Sequence, residues 1–261
     1  MAVAAPVNEE TSTASTIRRT ALIIGASGGV GRAVAAMLSH MGFFLVLVAR
    51  DPEKLERARL GFDPGAKLGI VLPCDVTDRS KVQAMVEATL RQLEFIDILI
   101  YAAGVNVRQR SLRSLDPADW DQVISSNLTG AYNVLHFVLP SMRARGSGLI
   151  IQISSLSGLR ANIVSGAAYS AAKHAQSALG ICISREERGR GIRSTVIYAG
   201  EIDTEFLDVR PSRPGGCVDG GRRKSILQPR DIAAAVRFLA GLPCTVHVPE
   251  LVIKPTIDDF S

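Results

Sequence analysis

Tyr169 and Lys173 stand four residues apart in the segment Tyr169-Ser170-Ala171-Ala172-Lys173. Residues four apart share one face of a helix. The lysine ammonium can therefore stabilise the tyrosine phenolate and lower its pKa from about 10. A tyrosine tuned in this way can exchange a proton with a substrate near neutral pH. Such a pair also arises easily by chance, so its meaning depends on what accompanies it.

A hydroxyl group suited to work beside this pair follows the apolar run that begins at Ile150. Ser155 ends that run, and the carboxyl end of a central strand is where ligands bind in α/β sheets. Its hydroxyl could donate a hydrogen bond to a substrate oxygen as charge develops there. A simple strand-end cap is the alternative, and Ser154 and Ser157 compete for the same role.

A glycine-rich turn follows the first apolar run, with glycines at positions 25, 29 and 31. Glycine allows a tight turn and a close approach of the backbone to a pyrophosphate. The helix that follows offers free N–H groups and a positive dipole end to phosphate. A tight turn without a ligand is the plainer interpretation. The predicted phosphate-binding residues are Gly25, Ser27, Gly28, Gly29, Val30 and Gly31.

The second apolar run ends in Ala49-Arg50-Asp51. In dinucleotide-binding folds an acidic residue at this point holds the ribose 2′-hydroxyl of NAD, whereas an arginine suits the 2′-phosphate of NADP. Arg50 predicts NADP(H) as the cofactor and Arg50→Asp is expected to shift the preference toward NAD. Asp51 leaves NAD use open, and a solvated strand-end arginine is the alternative for Arg50.

Alternating short apolar runs and longer helical patterns must position these residues. Strands that are apolar throughout need both faces covered, so the alternation predicts a parallel sheet with helices on each side. Right-handed crossovers then give a doubly wound, Rossmann-like α/β fold of about seven strands. One long predicted helix opens at Asp116 and carries Trp120 and later apolar residues at core spacing, with Asn127 inside it.

We expect a flexible tail over residues 1–17 and a single dinucleotide-binding and catalytic domain over 18–261. A Gly-, Pro- and Arg-rich stretch over 210–223 predicts a mobile loop. Its length and composition lead to the hypothesis that Phe206–Lys224 forms a lid over the substrate.

Composition narrows the function classes. The net charge of +5 comes from scattered residues apart from a basic group near 210–224, and no aromatic platform accompanies it, so we expect no nucleic-acid partner. The longest apolar run is too short to span a membrane. Four widely separated cysteines and unpatterned histidines predict no metal site and no disulfide framework, which favours a reducing, cytoplasmic location.

From Thr20 to Ile253 the chain resembles the short, single-domain branch of the short-chain dehydrogenase/reductase family. The helix asparagine, serine, tyrosine and lysine of that family match Asn127, Ser155, Tyr169 and Lys173. The family's cofactor contacts match Asp75 and Val76 after the third strand, Ala103 and Gly104 after the fourth, and Ile202 and Thr204 in the segment Gly200-Glu201-Ile202-Asp203-Thr204.

The resemblance implies an oxidoreductase that moves a hydride between NADP(H) and a carbonyl or secondary alcohol. Tyr169 would be the acid/base, Lys173 would tune it and hold the nicotinamide ribose, Ser155 would orient the carbonyl, and Asn127 would hold a relay water. The C-terminal stretch from Leu242 is similar to the subgroup containing bacterial 3-hydroxy acid dehydrogenases, which implies a small polar substrate. Relatives often form homodimers or homotetramers through the helices that carry Asn127 and Tyr169.

This sequence departs from the family pattern before the first glycine (Ile24), after the fourth strand (Tyr101-Ala102) and before Gly200 (Ala199). Ser155 and Tyr169 also stand one residue farther apart than is common. Three other functions remain as alternatives: a catalytically silent NADP-binding sensor or scaffold, a nucleotide-sugar epimerase or dehydratase, and a nucleic-acid binder acting through the basic loop.

Overall fold

The computed structural model describes residues 19–62, 68–209 and 225–257. The predicted N-terminal tail, the basic group near 210–224 and most of the predicted lid lie outside these ranges. Within them, strands and helices alternate as the sequence predicts. The strands are β1 (Thr20–Ile24), β2 (Phe44–Ala49), β3 (Leu68–Pro73), β4 (Ile98–Tyr101), β5 (Gly148–Ser155), β6 (Ile192–Ala199) and β7 (Glu250–Ile253).

The helices begin where capping residues or proline favour a helix start. Asp51, Asp78 and Asp116 each accept backbone N–H groups as N-caps, which satisfies donors that lack an intrahelical acceptor. The helices are α1 (Gly29–His40), α2 (Pro52–Leu60), α3 (Arg79–Leu93), α4 (Pro117–Ile124), α5 (Gly130–Arg145), α6 (Ala167–Glu186) and α7 (Pro229–Gly241).

All seven strands are parallel, in the order β3-β2-β1-β4-β5-β6-β7. Ile24 of β1 stands beside both Val48 of β2 and Tyr101 of β4. From β1 the chain adds β2 and β3 on one side, and it then returns to add β4, β5, β6 and β7 on the other side of β1. The confirmed doubly wound fold therefore has its topological switch point between β1 and β4, where α/β sheets bind ligands.

Alternate residues of the buried strands supply two cores, one on each face of the sheet. Ala21 and Ile23 of β1 pack with α1 and α7, whereas Leu22 and Ile24 pack with α3 and α5. Every residue of β1 is buried. A strand enclosed on both faces gives the turn that follows it a rigid base.

The long helix predicted from Asp116 is divided by a turn of π-helix over Ser125–Thr129. Asn127 lies in this turn and is fully buried. The prediction that Trp120 faces the core is wrong, because its side chain is 36% exposed. Val123 is the buried residue of the eight in α4, so this short helix leaves Trp120 outside the core, whereas Ala131 and Leu135 beyond the π-turn are buried as predicted.

Candidate active site

A cleft of about 470 Å³ opens at the carboxyl ends of the central strands. It runs from the turn after β1 past the end of β5 to the segment after β6, so it crosses the switch point of the sheet. The predicted site residues that line it are Ser27, Gly28, Gly29, Val30, Gly31, Arg50, Ala103, Gly104, Ser155, Tyr169, Lys173, Ile202 and Thr204.

The glycine turn is shaped by contacts that exclude side chains. Gly25 has φ +88°, and a Cβ there would lie 2.7 Å from the backbone nitrogen of Ala103. A Cβ on Gly31 would lie 2.1 Å from the carbonyl oxygen of Gly25. The start of α1 therefore packs directly against the turn, and both glycines are required by geometry.

The N-terminus of α1 points its backbone donors toward the cleft. Gly28 is the N-cap, and no side chain caps the helix. The first N–H groups of a helix have no acceptor within it and carry a partial positive charge. With the glycine backbone exposed beside them, these groups fit the pyrophosphate of a dinucleotide.

Arg50 and Lys54 place two cationic side chains where β2 meets α2, at one end of the cleft. Between them, Asp51 caps α2 by accepting a hydrogen bond from the Lys54 backbone N–H at 3.0 Å. That bond lowers the pKa of the Asp51 carboxyl. Lys54 was missed by the sequence analysis, because only the first turn of α2 brings it beside Arg50.

Asp75 and Val76 lie after β3, outside the residues that line the cleft. The Asp75 carboxylate accepts hydrogen bonds from the Thr77 N–H at 3.0 Å and from its hydroxyl at 2.8 Å. Val76 is buried and packs close to Gly130 at the start of α5. Asp75 thus sits in a tight turn at the same edge of the sheet, two strands away from β1.

Tyr169 and Lys173 lie in the first two turns of α6, with the Lys173 Nζ 5.7 Å from the centre of the Tyr169 ring. Both line the cleft, and Lys173 is only 3% exposed. Its Nζ donates to the carbonyl oxygen of Ile153 at 3.0 Å and to Gln176 Oε1 at 2.8 Å. Burial lowers the pKa of Lys173 to about 7.

Ser155 is the best placed of the three candidate serines. Its Oγ accepts the Ser157 N–H at 3.1 Å, so the predicted strand-end cap is present and the hydroxyl proton is still available to donate. Ser154 shares a 2.9 Å hydrogen bond with Ser177, and Ser157 donates to Ser165 at 2.6 Å. Both competitors are buried and engaged in bonds between elements.

Asn127 lies beneath the cleft floor. Its Oδ1 accepts the Val105 N–H at 2.9 Å, and its Nδ2 donates to the carbonyl oxygens of Val105 and Val123. A Cβ on Gly104 would lie 2.7 Å from Asn127 Oδ1 and 3.7 Å from Lys173 Nζ. Gly104 therefore lies between Asn127 and Lys173, and a side chain at this position would contact both.

The segment after β6 closes the side of the cleft opposite β2. Ile202 forms a parallel bridge with Leu227, which anchors the segment before α7. A Cβ on Gly29 would lie 2.7 Å from the Thr204 Cγ2. Thr204 therefore packs directly on the glycine turn.

Arg110 is a cleft residue that the sequence analysis did not find. It is 6% exposed and lines the same cleft. Its Nε donates to the carbonyl oxygen of Val107 and its Nη1 donates to that of Val164 at 3.0 Å. It thereby ties the loop after β4 to the loop before α6, two segments 54 residues apart whose pairing carries no local signal.

Comparison with known proteins identifies the family. The family model for short chain dehydrogenases matches residues 19–214. An uncharacterized oxidoreductase of Staphylococcus haemolyticus is 32% identical over 239 residues, which cover 91% of this chain and 97% of the relative. The chain belongs to the short-chain dehydrogenase/reductase family and is an oxidoreductase.

Solved structures agree on the fold. An alcohol dehydrogenase from the archaeon Thermococcus sibiricus, complexed with 5-hydroxy-NADP, superposes with a TM-score of 0.79 at 28% identity, covering 92% of this chain and 98% of the other. An NAD⁺-bound xylitol dehydrogenase superposes with a TM-score of 0.81, covering 92% of this chain and 99% of the other; at 23% identity it shows the fold alone. The fold is one that binds a nicotinamide dinucleotide.

Two further observations concern the described ranges alone. No helix in them is both long and apolar enough to cross a membrane. They also contain no group of three His, Cys, Asp or Glu side chains placed to hold a metal ion.

Proposed function

We propose that the chain is an NADP(H)-dependent oxidoreductase acting on a carbonyl or secondary alcohol, with Tyr169 as its acid/base. One observation carries the proposal: Tyr169 and a fully buried Lys173 share a cleft wall with Ser155, in the same cleft as the glycine turn. The chain's similarity to oxidoreductases supports the same reaction class.

NADP(H) is the proposed cofactor because the chain's own residues fit it. The glycine turn and the uncapped α1 would hold the pyrophosphate, and Arg50 would pair with the 2′-phosphate, assisted by Lys54. Asp75, Val76, Ala103, Gly104, Ile202 and Thr204 would complete the contacts. The nicotinamide supplies the hydride chemistry when it is bound.

The protein's part in reduction is to place the carbonyl and deliver a proton. Ser155 would donate a hydrogen bond to the carbonyl oxygen, and Tyr169 would give that oxygen its hydroxyl proton. The Lys173 ammonium would stabilise the phenolate left on Tyr169 and hold the nicotinamide ribose. Asn127, beneath Gly104, would hold a water that returns a proton toward Lys173.

The substrate that fits this cleft best is small and polar. Asn106, Arg110, Ser155 and Ser165 all line the part of the cleft around Tyr169. The Asn106 amide and the Arg110 Nε and Nη1 already bond within the protein, whereas the Ser155 hydroxyl keeps its proton for a substrate. A site built to bond a polar group rejects analogues that lack it. A short hydroxy or keto compound matches this lining.

The experiment that tests the proposal measures NADPH and NADH oxidation against a panel of small ketones, keto acids and aldehydes. Lys173→Met is compared with Lys81→Met, which replaces an exposed lysine on α3. We expect turnover with NADPH that is lost in Lys173→Met and kept in Lys81→Met. Tight NADPH binding with no turnover of any compound would instead favour the silent sensor or scaffold.

We further propose a cytoplasmic homodimer or homotetramer. Trp120 on α4 and Tyr132 on α5 expose large apolar surface, 36% and 44% of each residue. These helices flank the π-turn that carries Asn127, so a partner packed on them would also stabilise the cleft floor. Light scattering coupled to gel filtration gives the oligomeric state; a monomer at micromolar concentration would contradict this.

A further inference from the structure

A strip of buried polar groups lies between α6 and β5, and it consists of Lys173 and Gln176 of α6 and Gln152 of β5. Lys173, Gln176 and Gly180 follow one another at helical spacing on one face of α6, and a Cβ on Gly180 would lie 2.7 Å from Gln152 Nε2 of β5. Lys173 is 3% exposed, and Gln176 and Gln152 are both fully buried. Polar side chains in such a place cost free energy unless they are bonded.

The two glutamines of the strip differ in one respect. Gln176 Oε1 accepts a hydrogen bond from Lys173 Nζ at 2.8 Å. Among the described residues, the amide of Gln152 has no partner at either end, and Gln176 Nε2 also has none. Within the described part of the chain, the Gln176 side chain is thus bonded through its oxygen to the lysine, while its amide nitrogen is unsatisfied.

The bond decides where the lysine head group can lie. An ammonium has three donors, and those to Gln176 Oε1 and to the Ile153 carbonyl oxygen commit two of them. One acceptor belongs to β5 and the other to α6, one turn beyond the lysine. The third donor remains for the cleft, where Lys173 faces Tyr169.

We infer that Gln176 is a positioning residue that holds Lys173 as an ammonium under Tyr169, so that Tyr169 can carry the phenolate. This inference rests on the proposed function, in which Tyr169 and Lys173 act together. Without the Gln176 acceptor the buried lysine would lose its proton more readily, because an uncompensated charge in a dry site is unfavourable. The pKa of about 7 describes Lys173 facing a neutral Tyr169. A phenolate on Tyr169 favours the ammonium, so the two groups titrate as a pair, and a lysine that loses its proton more readily supports the phenolate less.

The other groups that face Lys173 do not compete for this role. Asn127 faces it from the π-turn across Gly104, Ser154 and Ile153 face it from β5, and Tyr169 precedes it on α6. Tyr169 alone among them titrates. The charged side chains that line the same cleft nearby, Arg110 and Glu201, are unchanged in every variant below, so they do not alter the comparison.

The test is the ionisation of Tyr169 followed by the ultraviolet absorbance of the phenolate, in the full chain without added cofactor or substrate. The chain has 4 tyrosines. Subtracting the pH titration of Tyr169→Phe from that of the wild type isolates Tyr169. The same subtraction is made in the Gln176→Leu background, with a Gln176→Leu/Tyr169→Phe double variant as its reference.

We expect the Tyr169 midpoint to rise by roughly one pH unit in Gln176→Leu, because a hydrogen bond to a charged group is lost. Gln176→Asn keeps an amide but withdraws it by one methylene, and it should shift the midpoint in the same direction. Gln176→Asn also tests the role of Gln176 if Gln176→Leu does not fold. The matched control is Gln152→Leu, an equally buried glutamine of the same strip, whose titration should superpose on that of the wild type.

An unchanged midpoint in both Gln176 variants, or an equal shift in Gln152→Leu, would overturn the inference and leave a purely structural glutamine. Because the titration needs no substrate, its failure is separate from failure of the proposed function. Loss of turnover in Tyr169→Phe with no shift in the Gln176 variants would reject only the role of Gln176. Full turnover in Tyr169→Phe would reject the proposed function.

Discussion

Asp51 Oδ1 accepts a hydrogen bond from the backbone N–H of Lys54 at 3.0 Å, so the carboxylate at the end of β2 caps α2. One oxygen of the residue whose type favours NAD is thus engaged by the helix, while Asp51 itself also lines the cleft. Arg50 before it and Lys54 after it are the cationic side chains that line this end of the cleft.

Replacing Arg50 tests this arrangement. Arg50→Ala should lower kcat/KM for NADPH by roughly 10- to 100-fold, because a charge-assisted contact to the 2′-phosphate is lost. Arg50→Asp should in addition raise the relative use of NADH. Arg59→Ala, which removes an exposed arginine of α2 paired with Glu56, is the control. An unchanged NADPH/NADH ratio in both Arg50 variants would show that another group selects the cofactor.

Gly31→Ala tests the packing of α1 on the glycine turn. Its Cβ would meet the Gly25 carbonyl oxygen at 2.1 Å, so the helix must move away from the turn. We expect the free energy of unfolding to fall by about 1–3 kcal/mol and NADPH to bind more weakly. Gly241→Ala, at the end of α7 with no atom within 4 Å of its Cβ, should change neither. Denaturant unfolding and fluorescence titration with NADPH measure the two effects.

The buried Lys173 should give the protein a pH-dependent stability. Burial lowers its pKa from 10.5 to about 7 in the folded state, so between these values the unfolded chain binds more protons. The free energy of unfolding then rises with pH across this window, by roughly 1–3 kcal/mol between pH 7 and about pH 9.

Lys173→Met removes the group, so its unfolding free energy should lack this rise. Lys81→Met, which replaces a lysine whose side chain is 64% exposed, should retain it. Denaturant unfolding of the three proteins at both pH values is the measurement. A rise of equal size in Lys173→Met would mean that other groups cause the pH dependence.

Arg110 should matter for both stability and substrate binding, because it connects two loops at the cleft. Arg110→Met would leave the carbonyl oxygens of Val107 and Val164 without this donor. We expect a loss of about 2 kcal/mol in the free energy of unfolding and a raised KM for the carbonyl substrate. Arg108→Met, at an exposed position two residues earlier, is the control. Equal KM values in the two variants would contradict a role in the cleft.

Most of the fold could be predicted because its signals are local. The continuous apolar run of β2, the proline at the start of α2 and the spacing of Val82, Met85 and Val86 on α3 each indicate one element. The alternation of these elements then determines the sheet. The π-turn around Asn127 has no such signal. The exposed position of Trp120 was missed because α4 buries Val123, and residue type does not tell which apolar residue of a short helix faces the core.

The site was predictable where a motif occupies one stretch of chain. The glycine turn and the Tyr169–Lys173 pair are both of this kind. Arg110 and Gln176 escaped prediction for a different reason. Arg110 acts through a loop 54 residues away, and Gln176 gains its meaning only when the Lys173 side chain turns away from solvent. Both depend on tertiary packing, which local residue types do not specify.

The most direct measurement of the central claim is the turnover of Tyr169→Phe with NADPH and the best ketone of the panel. Tyr132→Phe serves as the matched control, because Tyr132 is 44% exposed on α5 and does not line the cleft. The account predicts a loss of at least about 100-fold in kcat for Tyr169→Phe with NADPH affinity retained, and no loss for Tyr132→Phe. Turnover in Tyr169→Phe equal to that of the wild type would contradict it.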